Sequence, residues 1–258
     1  MVAWPAPGVD LMTDVSPADW VVRRLRPWAA DGARLESFAP DGFDGYARVF
    51  HPARTGDKWA DLARGRGIEL IPDITFSEVS GIGPQDQHDL DELAPWAGAL
   101  PSETCEALSD LLRPHTRTPE RCWFCLWEGN GLFWSGAHSP LLAPGESLDE
   151  AYQAAARAQD ELLKSTPRVE AEARSYFLLS GPLHAACPFE PIWSYTSPNL
   201  WWPEDRAWIV VTEVDGFSTY VGGNRVVLDD LIASPDVEAI EVTLDTHMDP
   251  ETSPPWWR

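Results

Sequence analysis

Cys122-Trp-Phe-Cys125 is the spacing in this chain that most invites a chemical reading. Two thiols separated by two residues carry out disulfide exchange when they open a helix, where the N-terminal dipole lowers a thiol pKa. Here the pair sits inside an apolar run, Cys122 to Trp127, that has strand character. Positions three apart on a strand point to opposite faces, which denies the two sulfurs a shared metal or a common bond. A zinc site would need a second pair, and Cys105 and Cys187 stand isolated along the chain. Cys122 and Cys125 therefore read as core cysteines, in keeping with the general burial of free thiols. The six histidines, at 51, 88, 115, 138, 184 and 247, form no HxH, HxxxH or HExxH pattern. His88 with Asp86, Asp89 and Asp91 suits either a divalent cation or a solvated acidic loop, and the loop is the expectation. No metal site is assigned.

Four other residues have types that do acid–base work. Glu213 and Asp215 lie two apart at the end of an apolar run and so face one side of a strand. Two such carboxylates act as an acid–base pair when their surroundings separate their pKa values, and are otherwise solvent-facing strand-end acids. His184, just after Ser180-Gly-Pro-Leu, closes another strand, and Arg206 follows Asp205 in a polar turn. Between 193 and 208 the chain carries Trp193, Trp201, Trp202 and Trp208. With Asp205 and Arg206 beside them, these rings fit a docking or sugar-stacking surface, or alternatively a core with a local Asp–Arg turn pair. No GxSxG, GxxxxGK[ST] or GxGxxG occurs, so a nucleotide-dependent enzyme is not expected and no cofactor is assigned.

These residues need elements to hold them. Ser16-Pro17-Ala18-Asp19 has the composition of a helix start, with Val21, Leu25 and Trp28 on one face. Gly45 to Phe50 reads as a strand, and a short helix over Asp57–Arg64 carries Trp59 inward. Residues 65–100 are broken by Gly65, Gly67, Pro72, Gly81, Gly83 and Pro84 and read as a long surface connection, a linker or an insertion loop. Ser102 opens a helix with Cys105, Leu108, Leu111 and Leu112 at helical spacing. Cys122–Trp127, apolar on both faces, belongs in the middle of a covered sheet. Gly129-Asn130-Gly131 then turns into Leu132-Phe133-Trp134 as a hairpin partner. Ser147 with Glu150 makes a capping box for a helix that buries Leu148, Ala151, Tyr152, Ala155 and Leu162. Strands follow at Ser175–Ser180, Ala207–Val214 and Phe217–Val221. Asn224 caps a helix with Val227, Leu228, Leu231 and Ile232 inward, and Ile240, Val242 and Leu244 alternate in a last strand. The expected fold class is α+β, a largely antiparallel central sheet with flanking helices. It is read as a single unit over 1–258, with a possible N-terminal lobe at 1–95 and an α+β core at 100–245.

Composition narrows the partners. The chain has 258 residues, 14 tryptophans and a net charge of -22. Residues 1–67 hold nine acids and nine bases, whereas 68–258 hold 32 acids and 10 bases. A field of that sign repels phosphate backbones, so nucleic acid is not expected as a partner; the charge suits a basic protein partner or serves solubility alone. No apolar stretch approaches the roughly 18 residues of a membrane span. Met1 to Asp10 lacks the basic and apolar regions of a secretory signal, and four cysteines are too few for a disulfide framework. A cytoplasmic, reducing location is the expectation.

Ser197-Pro-Asn-Leu-Trp-Trp-Pro-Glu-Asp-Arg-Ala-Trp208 followed by Ser218-Thr-Tyr-Val-Gly-Gly223 resembles a pattern recurring in uncharacterised actinobacterial proteins. Cys122-Trp-Phe-Cys-Leu-Trp-Glu-Gly129 is similar to their central strand, so the resemblance spans roughly residues 100–245. It implies no activity. A looser similarity, without a specific motif, is to small acidic α+β immunity proteins of bacterial toxin systems. The leading functional expectation is a non-enzymatic acidic module, of immunity type, that binds a basic protein. The alternative is an enzyme or a Trp-lined small-ligand or glycan binder with a site near residues 184–215, drawn from Trp201, Trp202, Asp205, Arg206, Glu213, Asp215 and His184.

Overall fold

A computed structural model of the chain describes residues 8–28, 32–83, 86, 88, 92–129, 161–171, 174–187 and 197–248. Nine strands among them are β1 (Asp10–Leu11), β2 (Gly45–Phe50), β3 (Cys122–Trp127), β4 (Val169–Glu170), β5 (Ser175–Gly181), β6 (Leu200–Pro203), β7 (Trp208–Thr212), β8 (Ser218–Gly223) and β9 (Ala239–Val242). They form one sheet in the order β1-β5-β3-β6-β7-β8-β2-β9, with β4 also paired to β5, and all of the pairings are antiparallel. The fold is α+β, as the element pattern predicts. β2, from the first fifth of the chain, lies between β8 and β9 from the last fifth.

Both faces of the sheet are covered. On one, Cys122, Phe124, Leu126, Phe177, Leu179, Trp201, Trp208 and Val210 pack with two helices, α4 (Ser102–Leu112) and α5 (Arg225–Ala233). On the other, Trp123, Cys125, Leu178, Trp202, Ile209 and Val211 pack with Trp20, Val21, Leu35 and Phe38 from the N-terminal segment. Strict alternation along β3 thus sends Cys122 to one core and Cys125 to the other, as strand geometry requires. The two-residue strands β1 and β4 and the longer β6 are the strands that the sequence does not delimit. The Leu-Trp-Trp-Pro run of β6 is buried throughout, so no polar alternation marks it.

A third core closes one end of the sheet. Phe50, Trp59, Ile74, Phe76, Val79 and Phe217 gather there beneath α2 (Trp59–Arg66) and α3 (Phe76–Ser80). The reading of 65–100 as a surface connection holds for 65–73, which lie at the surface, but not for Ile74, Phe76 and Val79, which are buried. Thr75 and Glu78 form a reciprocal capping box that starts α3 despite the surrounding glycines and prolines. Arg48 ties the segment down: it donates from Nη1 to the carbonyls of Pro72 and Ile74, both at 2.8 Å, and from Nε to Ser218 Oγ at 3.0 Å. Gly98 fits the same end because it has φ +73°, and a Cβ on it would lie 2.2 Å from the Val214 carbonyl oxygen.

Three helix expectations also change, one being Ile232 of α5, which is 40% exposed and not inward. The N-terminal helix is a 3-10 turn, Ser16–Ala18, followed by the single turn α1, Asp19–Val22, and Ser16 does not cap it. Instead Asp14 Oδ1 accepts from the Ser16 N–H at 2.9 Å, and Trp28 lies beyond the helix, half exposed. Near Leu162 the inward residue is Leu163, while Leu162 itself is 49% exposed, so the buried face is one position later. The expected hairpin partner at 132–134 and the capping box at 147–150 lie outside the described residues.

Candidate functional site

The residues singled out above fall at the two opposite ends of the sheet. β7 separates them: Asp205 and Arg206 precede it, and Glu213 and Asp215 follow it. Five strand residues span about 17 Å. His184 belongs to the Asp205 end, since Gly181 pairs with Cys122 and Cys122 with Pro203. The four groups that could have converged as an enzyme centre, His184, Arg206, Glu213 and Asp215, are therefore divided two and two.

At the first end, Asp205 is a staple. Its carboxylate accepts from the Thr116 hydroxyl and the Arg117 N–H, each at 2.8 Å, and from the Ala207 N–H at 3.3 Å. Burial pushes this carboxyl up, but these hydrogen bonds outweigh it and hold it below the ordinary aspartate range. Beside it Glu204 accepts from Trp123 Nε1 at 2.7 Å. Arg206 takes a left-handed conformation, φ 55°, and lays its guanidinium 5.2 Å from the Trp20 ring centre. Trp201 and Trp202 are buried in opposite cores, at 0% and 1% exposure, with Trp201 edge-on to Trp208 and Trp202 edge-on to Trp20. They give no stacking surface, because both faces of the sheet at β6 are covered by packed cores. His184 is exposed in a 3-10 turn, Leu183–Ala186.

At the second end, Arg174 gathers the paired carboxylates. Its Nη2 donates to Glu213 Oε1 at 2.5 Å and to Asp215 Oδ2 at 3.1 Å. Burial raises the Glu213 pKa, and the Arg174 charge only partly opposes it. Arg174 also borders a cavity of about 20 Å³, room for a single water, lined by Cys125, Tyr176 and Leu200. Glu213 and Asp215 share this guanidinium, which lies 39 residues upstream of Glu213 and carries no local signal in the sequence; Glu213 is buried rather than solvent-facing.

Next to this cluster runs a buried polar seam. His51, with no exposed surface, has Nδ1 3.3 Å from the Trp96 carbonyl and Nε2 2.8 Å from Thr219 Oγ1. A carbonyl only accepts, so Nδ1 carries the proton and Nε2 accepts from Thr219. Thr219 in turn meets Thr212 Oγ1 at 2.8 Å, and Asn199 Nδ2 donates to the Thr212 carbonyl at 3.2 Å. Asn199 Oδ1 finally accepts from the Trp127 N–H at 2.9 Å. Burial lowers the His51 pKa to about 4. This seam is a satisfied structural network that joins β2, β8, β7 and β3.

Exposed acids also line the outer side of two neighbouring helices. Glu103, Glu106 and Asp110 line the solvent side of α4, and among the described residues none of them makes an ion pair. On α5, which packs beside α4, the solvent side carries Val226, Asp229 and Asp230. Val226 is 59% exposed. Asp229 pairs with Arg225 at 2.9 Å, and Asp230 meets His115 Nε2 at 3.0 Å. Among the described residues no group of three or more His, Cys, Asp or Glu side chains could hold a metal ion, and Asp89 and Asp91 lie outside those residues. No helix of the described residues is long and apolar enough to cross a membrane. Compared with family models, with curated proteins and with solved structures, the chain matches none.

Proposed function

We propose that this protein is a non-enzymatic acidic docking module for a basic protein partner, and that the partner sits on the outer side of α4 and α5. The observation that carries this reading is the α4 stripe of Glu103, Glu106 and Asp110, which no cation of the described chain neutralises. Exposed Val226 on the neighbouring helix supplies apolar contact area within the same acidic field. An immunity-type role, masking a cationic effector inside the cell, is the form of binding that this charge best serves. Arg174, Glu213 and Asp215 support the alternative of a small-ligand site less well, since the guanidinium already engages both carboxylates.

The test is affinity purification of the tagged protein from its native extract across a salt series, repeated with the triple variant E103Q/E106Q/D110N. A basic partner that salt releases, and that the variant binds at least about tenfold more weakly, supports the reading. Recovery of no partner at low salt, or equal retention by the variant, overturns it.

A further inference from the structure

Cys105 and Cys187, far apart in the sequence, meet in the fold. Cys105 and Ser109 lie one helical turn apart on the inner side of α4, both buried. Against that side packs the 3-10 turn Leu183–Ala186, which ends at Cys187. Ser109 Oγ lies 3.2 Å from Cys187 Sγ, which sets Cys187 beside Cys105, one turn back on the same helix face. Both cysteines are free. Their exposures differ: Cys105 is 1% exposed, while Cys187 is half-buried.

From this geometry we propose that Cys187 and Cys105 are a peroxide-responsive pair, Cys187 reacting first and Cys105 closing an intramolecular disulfide. The asymmetry of the pair assigns the order. The neighbouring Cys105 thiol draws the Cys187 pKa down, with Ser109 adding to the effect. Burial and the carboxylates of Glu106 and Asp110 oppose it without reversing it. The proximity of Cys187, with burial, keeps Cys105 protonated. Reactivity follows the thiolate, so the less buried member of the pair is also the more nucleophilic one.

The Cys187 thiolate attacks one oxygen of hydrogen peroxide. The O–O bond breaks, an S–O bond forms, and the departing hydroxide takes a proton to leave as water. Cys105 sulfur then attacks the sulfenic sulfur; the S–O bond breaks, and the Cys105 proton leaves with that hydroxide as a second water. Two thiols and one peroxide become one disulfide and two waters, the sulfurs losing the two electrons that the peroxide gains. A small dithiol reverses the step by exchange. Cys122 and Cys125 provide an internal control. Both are buried, on opposite faces of β3, and burial pushes the Cys122 thiol up to about 12.

The experiment treats the reduced full chain with stoichiometric hydrogen peroxide and maps its peptides by mass under non-reducing conditions. The expected result is loss of two of the four thiols and a cross-linked Cys105–Cys187 peptide that a dithiol releases. C105S should accumulate a sulfenic acid at Cys187 that dimedone traps, and C187S should leave its remaining thiols unreacted. Because the map of the unaltered chain needs no variant, a folding defect in either one does not blunt the test. Four persistent thiols, a cross-link involving Cys122 or Cys125, or Cys187 overoxidised without a cross-link would each overturn the proposal.

Discussion

His51 is neutral because it is wholly buried and because a neutral imidazole satisfies both of its hydrogen-bond partners, a carbonyl and a hydroxyl. Its folded pKa of about 4 lies below the ordinary 6.5. Between those values the unfolded chain binds a proton that the folded chain refuses, so stability falls as pH drops from about 6.5 toward 4. The loss attributable to His51 between pH 7 and pH 5 is about 2 kcal/mol. Glu213 and Glu238, whose pKa values burial raises, act with the opposite sign: stability is gained below the ordinary carboxylate pKa and lost as pH climbs through the raised one. Urea denaturation of the parent and of His51→Gln at both pH values separates these effects. The variant should be weaker at pH 7 yet lose about 2 kcal/mol less on acidification; an unchanged pH slope would show that His51 is not the titrating group.

Helix ends show how near and distant chemistry share the work at the scale of elements. Asn224 caps α5 locally, its Oδ1 accepting from the Val227 N–H at 3.0 Å. Asn224→Ala should cost about 1 kcal/mol in urea denaturation, with an unchanged slope against denaturant. A loss beyond about 2 kcal/mol would mean that the cap also holds β8 in register. The start of α2 has no such local residue. Glu238, just before β9, reaches across to accept from the N–H groups of Trp59 and Ala60, both at 2.7 Å. The Asn224 cap could be read from four consecutive residues, whereas the α2 cap could not, because its carboxylate is 179 positions away from Trp59. The same contrast separates the strand at 45–50, plain in the sequence, from β6, whose two covered faces erase the alternation that marks a strand.

For the whole molecule the governing quantity is a net charge of -22, with the excess lying beyond residue 67. Self-repulsion among the exposed carboxylates opposes compaction and is screened by salt. The melting temperature should therefore rise by a few degrees as sodium chloride goes from about 20 to 300 mM. A flat or falling response would mean that the internal ion pairs outweigh the repulsion.

By itself the sequence determined the α+β class, most of the strands, the cap of α5 and the separation of Cys122 from Cys125. Each of these follows from spacing within a few residues, the range over which helix and strand periodicities act. Only the tertiary structure decided that β2 enters between β8 and β9, that Arg174 clamps Glu213 and Asp215, and that Cys187 packs against the helix face that carries Cys105 and Ser109. It also decided that Trp201 and Trp202 are core rather than surface. These outcomes depend on the order of strands in the sheet. That order is set by how all the apolar faces bury one another at once, and no local pattern records it.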